Sequence, residues 1–539
     1  MNEEITYAMM LISALKARGV KRIFGVPGGG SSLDLINAAN KLEVEFILCR
    51  GETSAALMAA VSGELTGISH AVLTGVAPGA ASVVNGVAYA SLERAPMVVI
   101  TDANEPGDGV SRHQVLDQGA LFAPITKASM VLRENTQTQE VERLFDLTLV
   151  APQGPVHFDL SAKVARSMVA PDKVAICAEA QTSFLAEDVE KICGLISESR
   201  KPVLLVGLEA RDIPSSTAVW ALAEALGCPV LTTYKAKGVF DESHPLFVGT
   251  FTGAVAEGET LHQADLIIGF GLDPVEIIPG QWPYEAGLLV INTAPDHQMP
   301  TGPVARVHGN MSRIGDALCN HCIERSSVWR IEEIADLRQS MSGRMALAPS
   351  RSGQLTADIV VSAARDAAPD RTRATVDAGA HMFSAMSLWT CRQPHDVLKS
   401  NGLSTMGFAL PAAIASALHE PDRPVIAFSG DGGLMMCLAE LSTAVRFGCN
   451  ITIIVLNDGA LSLIDIKQQR RQDPSVGVRY PRVDFKTCAE GMGCPAWNVS
   501  SEAQYLDALA AALDIPGPAL IDVHIDPSGY VKQIESLRG

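Results

Sequence analysis

Two short loops in the last third of the chain carry residues able to act together. Gly430-Asp431-Gly432 ends the apolar run Val425-Ile426-Ala427-Phe428, and Asn457-Asp458-Gly459 ends a second run from Ile451 to Leu456, which puts Asp431 and Asp458 27 positions apart. Each run reads as a buried parallel strand. Between them Leu434, Leu438, Leu441 and Val445 recur at helical spacing until Gly448 stops the helix. A right-handed crossover sets the carboxyl ends of both strands on one sheet edge, so the two aspartates can converge. Facing carboxylates repel unless a hard divalent cation lies between them, and Mg2+ takes oxygen ligands completed by waters and phosphates. The N–H groups of Gly432 and Gly433 open the helix without side chains, which lets a diphosphate approach its positive end. Gly-Asp-Gly alone is also an ordinary strand turn; the second loop at this distance is what argues for a metal and diphosphate site.

The elements that must position these loops follow from the rest of the chain. At 539 residues it is too long for one core, and about one domain per 100 to 200 residues gives three or four. Apolar residues make up 47% and charged residues 19%, with 45 glycines, the balance of α/β layers whose strands are buried on both faces. A formal charge of −18 argues against nucleic acid or an anionic membrane as partner. No apolar stretch approaches the roughly 18 residues of a membrane span, and the acidic start Met1-Asn2-Glu3-Glu4 is unlike a signal peptide, so a cytoplasmic place is expected. The 11 cysteines, Cys193, Cys228 and Cys391 among them, read as reduced thiols, and the single Cys319-x-x-Cys322 pair around His321 lacks the second pair of a zinc site.

Three consecutive doubly wound α/β domains are expected. In residues 1–165 a helix from Tyr7 to Arg18 precedes the strand Arg22-Ile23-Phe24 and the loop Pro27-Gly28-Gly29-Gly30, with further strands at Glu45 to Cys49, Ala71 to Thr74, Met97 to Thr101 and Val156 to Leu160. The stretch from about 161 to 187 reads as a linker. Residues 188–335 form a second unit with strands at Val203 to Val206, Pro229 to Thr232, Asp265 to Phe270 and Leu288 to Ile291. A linker composition follows between Gln339 and Gln354, and 356–539 is the domain with the metal loops.

The pair of loops resembles the cofactor motif of thiamine diphosphate (ThDP) enzymes, and the similarity to the acetolactate synthase, benzaldehyde lyase and 2-oxoacid decarboxylase group extends through nearly the whole chain. The resemblance implies a pyrimidine-binding first domain, a central domain, and a third domain for diphosphate and Mg2+. Asp431, Asp458 and the Ala460 carbonyl would hold the metal, and Gly430, Gly432 and Gly433 would cradle the diphosphate. Asp458 stands where many relatives have a second Asn, and Asn-Asp also occurs in the acetolactate synthase-like branch.

Glu52 opens the apolar helical segment after the strand ending at Cys49. On its own it reads as an acidic residue in a first helical turn. The resemblance makes it the carboxylate that contacts the pyrimidine N1′ and promotes loss of the thiazolium C2 proton, and burial is expected to raise its pKa. Gly51 replaces a histidine common in relatives. Ser400 to Phe408 resembles the loop that bends the cofactor, with Met406 as the apolar wedge and the Ser404 carbonyl as acceptor for the aminopyrimidine; a buried Met is otherwise core filler. Asp377-Ala378-Gly379-Ala380-His381 resembles a diphosphate-side loop, making Gly379 and His381 cofactor candidates, although a satisfied loop histidine reads equally well. Pro27 and Leu463 complete the implied cofactor contacts.

The reaction is less constrained. Simple decarboxylases of the group carry two adjacent histidines in the loop where this chain has His113-Gln114, and acetolactate synthase-like relatives carry Phe-Gln. His113 could protonate a carbanion and release an aldehyde, whereas Gln114 would orient a carbonyl. Gly28, Gly29, Gly30 and Ile464 are implied substrate neighbours. Formation or cleavage of C–C bonds among 2-oxoacids, aldehydes and acyloins is expected, with non-oxidative decarboxylation as the alternative. Because family active sites lie between subunits, a homodimer or homotetramer is implied. Some relatives keep an FAD in the middle domain; Gly207, Gly269 and Gly271 would allow it, and turn glycines explain them equally. A non-catalytic regulatory paralogue is opposed by the intact carboxylates, and a nicotinamide dehydrogenase by the lack of G-x-G-x-x-G after the first strand.

Overall fold

Near-continuous apolar runs make strands that can be buried on both faces, and such strands assemble with helices above and below a parallel sheet. The computed structural model describes residues 4–105, 113–170, 186–278, 282–295, 298–299, 301–321, 327–345 and 354–538. Within them lie three six-stranded sheets, each parallel throughout.

Across the first sheet the strands are Glu45–Leu48, Arg22–Val26, His70–Thr74, Met97–Ala103, Pro155–Ser161 and Ser129–Val131. Across the third they are Val397–Lys399, Arg373–Val376, Val425–Gly430, Ile451–Asn457, Ala519–His524 and Ala496–Val499. Both follow chain order 2-1-3-4-6-5, so the two domains share one topology. The middle sheet, Phe247–Phe251, Val230–Thr233, Pro202–Val206, Leu266–Phe270, Gly287–Asn292 and Ala305–His308, has the order 3-2-1-4-5-6. Doubly wound sheets place ligands outside the carboxyl ends of the strands where the order reverses.

The first and third domains share a core. Helix Glu52–Thr66 packs on helix Pro78–Leu92 of its own domain and on Ala409–His419 of the third. Its interior is buried without a break from Ser54 to Glu64, and small residues let the helices meet closely: a Cβ on Gly86 would stand 2.4 Å from Ala56 Cβ. The middle domain joins through a buried ionic junction. Lys235 Nζ lies 2.7 Å from Glu64 Oε2 and 3.2 Å from Glu93 Oε2, and donates to the Lys399 carbonyl at 3.2 Å. Arg211 pairs with Glu64 at 2.6 Å, and the Tyr89 hydroxyl donates to the same carboxylate. Arg94 makes two hydrogen bonds to Asp273, at 2.7 and 3.0 Å.

Several expectations are corrected here. The helix expected through Leu434 to Val445 is three pieces, Asp431–Cys437, a 3-10 turn Leu438–Glu440, and Leu441–Arg446, the backbone leaving the helical region at Cys437 (φ −134°, ψ 11°); Glu440 accepts from Arg50 N and Gly51 N at 2.8 and 3.1 Å. Residues just after 161 are not linker: helix Ala162–Arg166 and strand Met168–Val169 follow, the latter pairing antiparallel with Ile5–Thr6, and 171–185 lie outside the described residues. The middle unit does not stop near 335, since helix Ile331–Met345 packs on strand Phe247–Phe251. Cys193 is disulfide-bonded, contrary to the expectation of reduced thiols, while eight other described cysteines are free. Cys319 is among those eight; Cys322 and the side chain of His321 lie outside the described residues. No helix among the described residues is long and apolar enough to cross a membrane.

The junction sets an acid sensitivity. Burial alone would raise the Glu64 pKa, but Lys235 and Arg211 outweigh it and lower it from 4.5 to about 2. A carboxylate depressed in the folded state contributes stability that is full above its unfolded pKa and is lost as pH falls toward the folded one. Glu64→Gln is therefore expected to cost about 3 kcal/mol at pH 7, with its thermal midpoint approaching that of the wild type as pH falls from 4.5 toward 2. A gap that is absent, or constant over that range, contradicts the assignment.

Candidate active site

Strand Val425–Gly430 pairs in parallel with Ile451–Asn457, Gly430 standing opposite Leu456, so Asp431 and Asp458 leave the same edge of the sheet. Asp431 is the first residue of its helix and is held from three directions: Oδ1 accepts from Gly432 N at 2.8 Å and from the Tyr480 hydroxyl at 3.0 Å, and Oδ2 from Gly459 N at 2.8 Å. Asp458 Oδ1 accepts from Ala460 N at 3.2 Å and Oδ2 from Ser462 Oγ at 2.6 Å. Burial, reinforced by the charge of Asp431, pushes the Asp458 carboxyl up to about 6, against the hydrogen bond from Ser462. Burial raises Asp431 as well. Among the described residues no three His, Cys, Asp or Glu side chains gather as a metal site, so a cation between these two carboxylates would need carbonyl and non-protein oxygens. Ala460 supplies such a carbonyl: the flanking hydrogen bonds, Leu461 N to Val478 O and Tyr480 N to Gly459 O, both leave it out.

The glycines beside Asp431 have no room for side chains. A Cβ on Gly433 would stand 2.1 Å from Asp377 Oδ2, and one on Gly432 would meet Leu461 at 2.7 Å and the Tyr480 hydroxyl at 2.8 Å, with Met406 Cε 3.5 Å away. Met406 is thus brought over the first turn of the Asp431 helix. Its loop is held at both ends by carboxylates. Glu93 Oε1 accepts from Asn401 N and Gly402 N at 2.5 and 2.8 Å, and Asp377 accepts from Gly407 N and Phe408 N at 3.1 and 3.0 Å. Between these clamps Thr405 donates to Asn85 Oδ1 at 2.9 Å, and Ser404 takes φ 52°, a conformation unusual outside glycine. Burial raises Asp377 to about 6.

His381 packs on Gly379 and Gly430, whose Cβ positions would lie 2.7 and 3.2 Å from its ring. It is buried, burial lowers its pKa to about 4, and its Nε2 has no hydrogen-bond partner. Leu463 packs against the core from the helix after the Asp458 loop, whereas Ile464 is exposed.

In the first domain Glu52 is half-buried at the first position of its helix, after Gly51 in extended conformation. Its Oε1 lies 3.5 Å from where a Gly79 Cβ would stand, and Thr74 Oγ1, 2.3 Å from that same point, is buried without a partner. The loop after Pro27 is organised by Asp102, which accepts from Gly30 N at 3.2 Å and from Ser32 N and Ser31 Oγ at 2.7 Å. A Gly28 Cβ would collide with that carboxylate at 2.2 Å, while Gly29 faces open space. His113 and Gln114 form an exposed turn beside Val115 and Leu116, and 106–112 lie outside the described residues. Gln118, buried behind this turn, accepts from Ala77 N at 2.7 Å and donates to Thr101, to the Asp102 carbonyl and to Asp159.

Asp102, Glu93, Asn85, Glu440 and Tyr480 were not singled out by sequence. Tyr480 lies 49 residues beyond Asp431, with no local pattern to mark it. Among the described residues, the middle-sheet strand ends offer no open cradle for the diphosphate of an FAD. Gly207 approaches its own fold, its Cβ position lying 2.4 Å from Gly271 O. Two strand-end donors are taken: Leu208 N donates to Glu276 at 2.8 Å and Thr293 N to Glu209 at 2.7 Å.

Orphaned Thr74 Oγ1 and His381 Nε2, the glycine cradle and the paired carboxylates all fit a bound diphosphate cofactor. Comparison with known proteins identifies the group. Residues 5–121 match the N-terminal TPP binding domain of thiamine pyrophosphate enzymes, 189–305 the central domain and 377–523 the C-terminal TPP binding domain. The chain is 28% identical to acetolactate synthase of Bacillus subtilis (strain 168) over 537 residues, covering 97% of this chain and 94% of the relative. It is 28% identical over 543 residues to the catabolic acetolactate synthase of Raoultella terrigena (96% and 95% covered), and 28% over 539 residues to acetolactate synthase isozyme 1 large subunit of Escherichia coli (strain K12) (97% and 94%). The three sheets, in their order along the chain, belong to the thiamine pyrophosphate (thiamine diphosphate) enzyme family.

Proposed function

We propose that this protein is a ThDP- and Mg2+-dependent carboligase of the acetolactate synthase type, joining the acyl unit of a 2-oxoacid to a second carbonyl compound. The observation that carries the reading is Met406 held over the glycine turn beside Asp431, with Asp458 arriving from the neighbouring strand. Similarity to acetolactate synthases along the whole chain supports the choice of reaction.

Bound ThDP supplies a carbon nucleophile and an electron sink. The chain's residues do the rest. Asp431, Asp458 and the Ala460 carbonyl would hold Mg2+, and the N–H of Gly433 would face the diphosphate, that of Gly432 being donated to Asp431 Oδ1. Glu52 would accept and return a proton through its carboxylate, Gly79 leaving space in front of it and Thr74 offering an unspent hydroxyl. Gln114 would orient the acceptor carbonyl, and open space at Gly29 admits substrate bulk. A second copy of the chain would cover the site edge, a reading supported by Met435 and Met436, 49% and 63% exposed on the helix that begins with Asp431.

Purified protein with ThDP, Mg2+ and pyruvate, with and without an added aldehyde, tests the reaction by NMR. Acetolactate or another acyloin is expected; free aldehyde with CO2 and no acyloin would replace the reading with a decarboxylase whose proton donor is His113. Glu52→Gln is expected to bind ThDP normally and to lose turnover about 100-fold or more, the scale of a lost general acid–base group. Full activity in that variant would remove Glu52 from the mechanism. Asp431→Ala is expected to abolish Mg2+-dependent ThDP binding by calorimetry, and normal binding would overturn the metal assignment.

A further inference from the structure

The third-domain loop that carries Met406 is not held by its own domain alone. Its amino end hangs on Glu93, which belongs to the first domain and lies just past helix Pro78–Leu92. The fit leaves no slack: a Cβ on Gly402 would stand 2.6 Å from Val275 of the middle domain and 2.9 Å from Leu92 Cβ. Glu93 is buried, and its second oxygen faces Lys235 of the middle domain at 3.2 Å. The same ammonium donates to the carbonyl of Lys399, the residue before the loop begins at Ser400. Lys235 therefore touches both the carboxylate that grips the loop and the strand that delivers it. The next residue, Arg94, turns back with φ 56° and grips Asp273 of the middle domain.

We propose that Glu93 is a positioning residue for the Met406 wedge, and that Lys235 makes the middle domain part of the active-site apparatus by fixing the Glu93 carboxylate; this rests on the ThDP reading above. Hydrogen bonds to a charged acceptor are the strong ones, and two consecutive N–H groups on one carboxylate oxygen fix position as well as energy. Without the grip, Asn401 and Gly402 can shift, and the loop between the Glu93 and Asp377 clamps loses one anchor while Asp377 keeps the other. The middle domain then acts on the site through this contact.

The test is ThDP affinity with saturating Mg2+, measured by calorimetry on the full-length protein well below each variant's thermal midpoint, together with the near-ultraviolet circular dichroism induced in the bound cofactor. A purely structural role lowers the midpoint but leaves the affinity of the folded protein unchanged. Glu93→Ala is expected to raise the ThDP Kd about tenfold or more, the loss of a charge-assisted hydrogen-bond pair, and to alter the dichroism. Glu93→Gln, which keeps an acceptor oxygen, is expected to fall between it and the wild type. Lys235→Met, with Glu93 intact, is expected to raise the Kd in the same direction. A Kd within about twofold of wild type for Glu93→Ala, or for Lys235→Met should Glu93→Ala not fold, overturns the proposal. Failure of the wild type itself to bind ThDP would instead remove the reading on which it rests.

Discussion

A buried carboxylate that accepts from neighbouring backbone N–H groups is the interaction on which the working parts of this molecule depend. Loops around the site are rich in glycine and have no strand or helix to satisfy their donors, and a buried unpaired N–H is costly. Glu440 does this for Arg50 and Gly51 just ahead of Glu52, Asp377 for Gly407 and Phe408, Glu93 for Asn401 and Gly402, and Asp102 for Gly30 and Ser32. In each case one side chain converts an irregular loop into a fixed object. Part of the large acidic excess of the chain is thus spent inside it, where it bears on architecture more than on surface potential.

The two cofactor domains share the strand order 2-1-3-4-6-5 and yet offer different chemistry at equivalent edges. In the third sheet the third and fourth strands are followed directly by Asp431 and Asp458. In the first, the corresponding strands His70–Thr74 and Met97–Ala103 contribute the Thr74 hydroxyl and Asp102, the latter turned toward the backbone of the loop after Pro27. The middle sheet has the order typical of dinucleotide folds, but Glu276 and Glu209 occupy the amides at its strand ends. Topology provides an edge, and a few side chains decide what it receives.

Most of this fold was legible because parallel strands buried on both faces announce themselves as apolar runs. Of the strands that escaped in the three large sheets, Ser129–Val131, Phe247–Phe251, Ala305–His308, Val397–Lys399 and Ala496–Val499 lie at sheet edges, where Ser129–Val131 and Ala305–His308 are short and only partly buried, whereas Ala519–His524 is a buried interior strand. The expected helix through Glu440 is interrupted because the backbone leaves the helical region at Cys437, a break that the apolar period on either side of it does not mark. At the site, Asp431 and Asp458 were readable since a strand–helix–strand unit fixes where its ends go. The wedge loop and Glu52 needed a resemblance. Glu93, Asp102 and Tyr480 were invisible because their partners are 49 to 309 residues away, and an isolated acid or tyrosine carries no mark of such a partner.

The buried junction also bears on the order in which the chain can be completed as it leaves the ribosome. Domains emerge amino end first, and the first domain emerges with Glu64 and Glu93 made but without Lys235 or Arg211, their counter-charges. Helix Glu52–Thr66 likewise waits for Ala409–His419 to cover it. The nascent first domain must therefore keep two acidic groups and an alanine-rich helix face in water until far more of the chain has been made, so its final packing is a late event of synthesis even though its sequence comes first.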